Sequence, residues 1–372
     1  MTTPPPRPAP PGPEDPSPGS AADAGALLRV RLAGLAVLAV LAVAGLLWAK
    51  WLPYGGKVEG LATSRHWSGS AIFGASGAPG SPPSLAGAVE FTRAYAAAVW
   101  KAAVVAVVLA AALEALVPRS WLLRPLSRPG ALRQGVTGGL LAMPSMMCTC
   151  CTAPVTIGLR RRGAPVAASV AYWLGNPVLN PAVLVFLALC LPGELLALRV
   201  LVGVPLVLGA AVLASRLAAG RPADPSGLVP VTDEPTGGRQ IAARFGRSLA
   251  RYLVVVVPEY LVVVLLTGAV SAWLSDWTGL GSLAGPLAIL VVSVVGALLV
   301  IPTGGEIPVV AGLAGAGLAT GSAAALLITL PALSLPSVVM VARSLTWRVT
   351  LAVTGLVVLA GVAAGLVARV VG

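Results

Sequence analysis

The residues with the most chemistry to offer lie in Met146-Met147-Cys148-Thr149-Cys150-Cys151, where three thiols and two thioethers fall within six positions. Thiolates and thioethers are soft donors that suit Cu(I) and Zn(II) and, on the same ground, trivalent arsenic, antimony or mercury. Cys148, Cys150 and Cys151 are all expected substrate contacts. Positions i and i+2 of a regular helix point apart, so such a pair converges only on a non-helical tip. Pro144 and Pro154 flank the cluster and supply the break. No second C-x-x-C accompanies it, and the chain has one histidine, His66, which argues against a closed structural zinc site. Cys190 stands alone in an apolar run and reads as a small apolar filler.

Two carboxylates stand inside otherwise apolar sequence. Glu306 follows Thr303, Gly304 and Gly305, and Glu259 follows Pro258. A carboxylate at membrane depth is expensive and by default functional, so both are candidates for ion coupling. The plainer alternatives stay open: backbone amides at a half-helix start could satisfy Glu306, and Glu259 could be a buried polar contact. Glu114, near a helix end, is expected to snorkel toward water. Asn176, Asn180 and Ser334 offer neutral hydrogen bonds beside two further proline clusters and complete the expected substrate-binding set.

The elements that must position these groups are membrane helices. Of 372 residues 57% are apolar and 10% charged, with a mean hydropathy of +0.91. A soluble domain carries about a quarter charged residues, so an ordinary soluble enzyme is excluded. The net charge of +12 forms no continuous basic face, because long apolar segments separate the basic residues. No nucleic-acid partner is expected. Apolar stretches cover roughly 32–49, 95–117, 135–159, 165–190, 195–217, 249–273, 284–316, 319–341 and 349–370. The division expected from them is a disordered Pro-rich tail over 1–27, an N-terminal transmembrane helix over 28–51 and an extracytoplasmic linker over 52–93. A first permease repeat over 94–217, a cytoplasmic linker over 218–248 and a second repeat over 249–372 follow.

The repeat rests on matched prolines and glycines 154 residues apart: Pro154/Pro308, Gly158/Gly312, Gly163/Gly317 and Pro177/Pro331. Lysine and arginine concentrate on the cytoplasmic side of membrane proteins. If 135–159 and 284–316 each enter and return on one side, 18 of the 25 basic residues, Arg160-Arg161-Arg162 among them, become cytoplasmic. Each half then crosses an odd number of times, giving an inverted repeat of the kind common in secondary transporters. Four helix-breaking clusters, Pro144 to Pro154, Asn176 to Pro181, Ile301 to Pro308 and Pro331 to Pro336, fall near the middle of their stretches. Non-helical backbone at that depth survives only where protein buries it or a watery cavity adjoins it.

At these residues the chain resembles the predicted-permease family that includes the ArsP-type organoarsenical efflux permeases. The resemblance lies in the C-x-C followed by Pro154 and Gly158-Leu159, in Arg161-Arg162-Gly163-Ala164-Pro165, and in Asn176-Pro177 through Asn180-Pro181. It continues in Gly305-Glu306-Ile307-Pro308-Val309 and in Pro331 through Pro336. It covers roughly residues 90–370 and implies recognition of a trivalent organoarsenical by Cys148 and Cys150; Cys151 stands where the family more often has a small residue.

The expectation is an all-α polytopic cell-membrane permease with two inverted repeat halves, broken or re-entrant helices and one extra N-terminal helix. It would export a small thiophilic solute, organoarsenical or soft metalloid, by alternating access. Its partners would be membrane lipid and that solute, with homo-oligomerisation open; it is not expected to be an enzyme or to carry a cofactor. The only lysines are Lys50, Lys57 and Lys101, none in a phosphate-binding loop, so energy would come from an ion gradient, a partner or the solute's own gradient. A membrane thiol oxidoreductase using Cys148, Cys150 and Cys151, and a passive channel, are the alternatives.

Overall fold

The structure, a computed structural model, describes residues 18–67, 72, 75, 77, 78, 80–219, 238–274, 285–315 and 317–371. Its regular elements are helices throughout these residues. The first half comprises α1 (Pro18–Leu46), α2 (Leu52–Ser64), α3 (Leu85–Leu116), α4 (Arg119–Leu126), α5 (Ala131–Ala142), α6 (Thr149–Arg161), α7 (Val166–Val178), α8 (Pro181–Cys190) and α9 (Gly193–Ala218). The second comprises α10 (Gly238–Arg251), α11 (Val257–Leu274), α12 (Pro286–Leu298), α13 (Glu306–Gly315), α14 (Thr320–Ala332), α15 (Leu335–Leu345) and α16 (Trp347–Val371). Among the described residues six helices are long and apolar enough to cross a membrane, and α14 with α15, bent by 49° at their break, form a broken span or a re-entrant loop. Their outer faces expose large apolar side chains such as Val40, Leu201, Val254, Leu266 and Leu359, as a lipid-facing surface requires. This is an all-α multi-pass membrane protein.

The two stretches expected to be broken each form a pair of short helices. With 10–13 residues apiece, α5, α6, α12 and α13 rise about 15–20 Å, short of the ~30 Å hydrocarbon core. The chain reverses at each break. Gly138 lies against Ala168, and Ser145 bonds Asn176, so α5 runs parallel to α7; α6 joins α7 by a tight loop and bonds it at Thr152 and Trp173, so it runs antiparallel. In the second half Ile289 meets Gly321 and Gly296 meets Thr329, making α12 parallel to α14, while α13 turns directly into α14.

α8 and α15 end at opposite ends of the bundle. α15 ends beside the C-terminus of α6, where Arg160 donates to Ser344 O at 3.4 Å. α8 ends at the other end of the bundle, against α2 and Trp67, whose ring meets Phe186 edge-on at 5.7 Å. The starts of α7 and α14, of α8 and α15, and of α9 and α16 are each 154 residues apart.

Several boundaries differ from expectation. Helix begins at Pro18, within the span 1–27 assigned to a disordered tail, of which 1–17 lies outside the described residues. The span 52–93 is not a plain linker, since it holds α2 and the first turns of α3. A π-turn over Leu47–Trp51 carries the first helix without interruption into α2, and Pro53, which has no N–H to return to the preceding turn, lies just past it. α3 starts at Leu85 because Ser84 caps it, accepting from Gly87 N at 3.0 Å. The linker 218–248 is helical from Gly238.

Glu114 does not snorkel. It is buried where α3 meets α10 and the π-turn Tyr252–Val256. Tyr252 OH donates to Oε1 at 2.7 Å and Ser248 Oγ to Oε2 at 2.9 Å, with Arg161 at 3.6 Å and Arg251 at 4.0 Å. Two hydroxyls and two guanidinium groups together offset its desolvation.

Candidate functional site

Each break frees backbone groups, and the structure shows where they are satisfied. Proline at position i cannot donate to the carbonyl at i−4, so Pro177 frees Trp173 O and Pro331 frees Leu327 O. Thr152 Oγ1, in α6, donates to Trp173 O at 3.4 Å. Arg199, fully buried in α9, donates to Leu327 O. The same guanidinium reaches the C-terminal carbonyls of α7, with Nε to Val178 O at 2.7 Å and Nη2 to Pro177 O at 2.9 Å. Nη2 also donates to Glu306 Oε1 at 3.2 Å. One side chain thus ties three of the four breaks together.

The first break is shaped by Met146, whose φ of 48° turns the chain out of helix, and by Asn176. Asn176 Oδ1 accepts from Met147 N at 2.8 Å, and its Nδ2 donates to Ser145 Oγ. Cys148 then caps α6 in an extended conformation. Because Cys150 and Cys151 lie in the first helical turn, the thiols separate differently from expectation. Cys148 and Cys151 are the convergent pair, with Sγ atoms 3.5 Å apart, as i and i+3 allow. Cys150 turns toward α3 and α15: Tyr95 OH donates to its Sγ at 3.3 Å, and Ser334 Oγ lies 3.2 Å away. Cys148 also interacts with Cys150, so all three thiols form one cluster around it. Among the described residues no group of three or more His, Cys, Asp or Glu is arranged to hold a metal ion.

Ser334 caps α15 in a capping box with Ser337 and also lies 3.3 Å from Thr149 Oγ1, joining the first break to the fourth. Asn180 caps α8, accepting from Ala182 N at 3.1 Å and Val183 N at 3.4 Å, and its buried Nδ2 has no partner. Glu306 opens α13 and is buried; Oε1 belongs to Arg199, while Oε2 is buried without a partner. Glu259 is not brought to this centre. It pairs with the exposed Arg343 at 3.3 Å, near the end of the bundle that holds Glu114.

A small cavity lies at the meeting point, with room for about one water molecule. Cys148 from the first break, Pro177 from the second, Thr303, Gly304 and Glu306 from the third and Pro331 from the fourth line it. Gly304 has a φ of +81°, and a Cβ there would stand 3.1 Å from the Trp67 ring, so glycine is required on two counts.

Three contributors carried little sequence signal. Arg199 interrupts an otherwise apolar run, and that interruption was the available clue. Lys50 and Tyr95 reach the centre from helices whose sequence gives no sign of it. Lys50 donates to Thr303 Oγ1 at 3.2 Å.

Broken helices whose ends meet at a small cavity, inside a bundle with an apolar exterior, are the architecture of a membrane permease. The chain belongs to the ArsP_1 predicted permease family, whose model matches residues 84–370. It is 37% identical over 323 residues to the UPF0718 protein YraQ of Escherichia coli (strain K12), a match covering 87% of this chain and 91% of that protein. No solved structure matches the chain.

Proposed function

We propose that the chain is a secondary-type permease that exports a small thiophilic solute by alternating access through the cavity at Cys148, Pro177, Glu306 and Pro331. The observation that carries this reading is that all four helix breaks contribute to one cavity. Cys148 and Cys151 offer the solute two soft donors 3.5 Å apart, and the free oxygen of Glu306 is the coupling group, taking up and releasing a proton as the site changes face. Asn176, Asn180 and Ser334 hold the broken backbone in shape around the solute. The opposite ends reached by α8 and α15 support two inverted repeats. The bundle end that gathers Arg160, Arg161, Arg251 and Arg343 is the cytoplasmic one, by the positive-inside bias.

The test is uptake into everted vesicles of phenylarsine oxide, antimonite and a sugar lacking any soft atom, comparing wild type with Cys148→Ser and Glu306→Gln. Saturable uptake of the thiophilic solutes by wild type, its loss in Cys148→Ser and a lost pH-gradient dependence in Glu306→Gln are expected. A Cys148→Ser variant that transports every solute as well as wild type would overturn the thiol role. Flux that never saturates would make the protein a channel.

A further inference from the structure

Lys50 comes from the N-terminal helix, outside residues 84–370 that the family model matches. Its side chain is 7% exposed. Nζ donates to Tyr54 OH at 2.8 Å and to Thr303 Oγ1 at 3.2 Å, and it lies 4.9 Å from the centre of the Tyr54 ring. Thr303 lines the cavity beside Cys148 and Glu306. An ammonium has three N–H donors, so one remains open.

No carboxylate among the described residues pairs with this charge; Glu306 is engaged by Arg199 instead. Its direct partners are two hydroxyls and a ring face, and a charge out of water costs several kcal/mol to hold. Ionisable groups tolerated at membrane depth mark substrate or ion paths.

The local backbone is built to present this side chain. Lys50 lies in the π-turn Leu47–Trp51, a widened turn of a kind that recurs at functional sites. The next residue fastens the turn to the first break, Trp51 Nε1 donating to Pro144 O at 2.8 Å. Lys50 is also close enough to Cys148 and Cys151 to interact with them electrostatically, and its partner Thr303 lines the cavity together with Cys148.

We propose that Lys50 is a solute-contacting residue whose ammonium takes the anionic group of a solute while its soft centre faces Cys148 and Cys151. The inference rests on the permease reading and narrows its solute class to small organic anions carrying a thiophilic atom. It also makes the N-terminal helix part of the site and not merely an anchor.

Two probes that differ by one carboxylate isolate the effect: phenylarsine oxide, which is neutral, and 4-carboxyphenylarsine oxide. Their saturable uptake is measured in everted vesicles holding the full chain, as wild type, Lys50→Met and Lys50→Arg. Wild type is expected to show a KM at least tenfold lower for the carboxylated probe. Lys50→Met should bring the two KM values to within about twofold of each other, and Lys50→Arg should keep most of the preference. A wild type that moves the neutral probe but shows no preference overturns the inference and leaves the permease reading standing, whatever the variants do. Equal losses for both probes in Lys50→Met overturn it too and assign Lys50 to the thiols or to the fold. A wild type that moves neither probe counts against the permease reading itself, and the inference falls with it.

Discussion

Arg199→Met is the perturbation whose size follows most directly from the geometry. Methionine is flexible enough to occupy much of the vacated space, but it makes none of the bonds to Val178 O, Pro177 O, Leu327 O and Glu306 Oε1. Removing one partner of a buried ion pair costs about 3–5 kcal/mol because the other charge is stranded. Each buried carbonyl left unpaired adds up to about 1–3 kcal/mol, but protonation of Glu306 and small shifts of α7 recover part of this, so ~3 kcal/mol is a lower bound. Glu306→Gln is milder, at about 1–3 kcal/mol, since Arg199 keeps its three carbonyls and the amide can still accept from Nη2. In Arg199→Met/Glu306→Gln no charge is stranded, so the double variant should be more stable than Arg199→Met alone. The assay is thermal unfolding of the detergent-purified protein, followed through its nine tryptophans. At about 2 °C per kcal/mol for a long chain, Arg199→Met should lower the midpoint by ~6 °C or more and the double variant should recover part of it. If Glu306→Gln destabilises as much as Arg199→Met, or the two effects simply add, Arg199 is not the brace of the breaks.

Other perturbations read other parts of the account. A Cβ on Gly138 would stand 2.1 Å from Ala168 O, whereas one on Gly139 meets nothing closer than 3.8 Å. Gly138→Ala should therefore push α5 off α7 at a cost of about 3 kcal/mol or more and collapse the yield of monodisperse protein in size-exclusion chromatography; Gly139→Ala should match wild type. Tyr252→Phe removes the 2.7 Å bond to buried Glu114 and should cost about 1–3 kcal/mol in the same thermal assay, with little change in solute KM because Glu114 is not at the cavity. Phenylarsine oxide, which bridges neighbouring thiols, should protect Cys148 and Cys151 from maleimide and leave Cys190 reactive; mass spectrometry of labelled peptides reads this, and equal protection of Cys190 would break the assignment of the pair.

Much of the site was legible because helix breaking is a local property. Proline and glycine positions alone located the four breaks, and soft or charged residues on them marked Cys148 and Glu306. What tertiary packing decides was not legible. How the three thiols are arranged depends on where the break ends; it ends at Cys148, so the helical i, i+3 relation places the Cys151 Sγ 3.5 Å from that of Cys148. Arg199 answers carbonyls freed by prolines on other helices, a demand that its own apolar neighbours do not record. Glu114 looked like a helix-end charge because the hydroxyls that bury it, on Ser248 and Tyr252, lie across the central linker. Residues 52–64 read as a linker from their glycines and polar groups, yet the π-turn before them lets the helix continue and bring Lys50 to the cavity.

The central claim is that solute passes through the cavity where the four breaks meet. It is tested most directly by measuring flux of phenylarsine oxide into everted vesicles as a function of alkylation at Cys148, in a Cys190→Ser background with labelling mapped by mass spectrometry. Flux should fall in proportion to the Cys148 modified and reach background when labelling is complete. Flux continuing at the unmodified rate with Cys148 fully alkylated would place the path elsewhere.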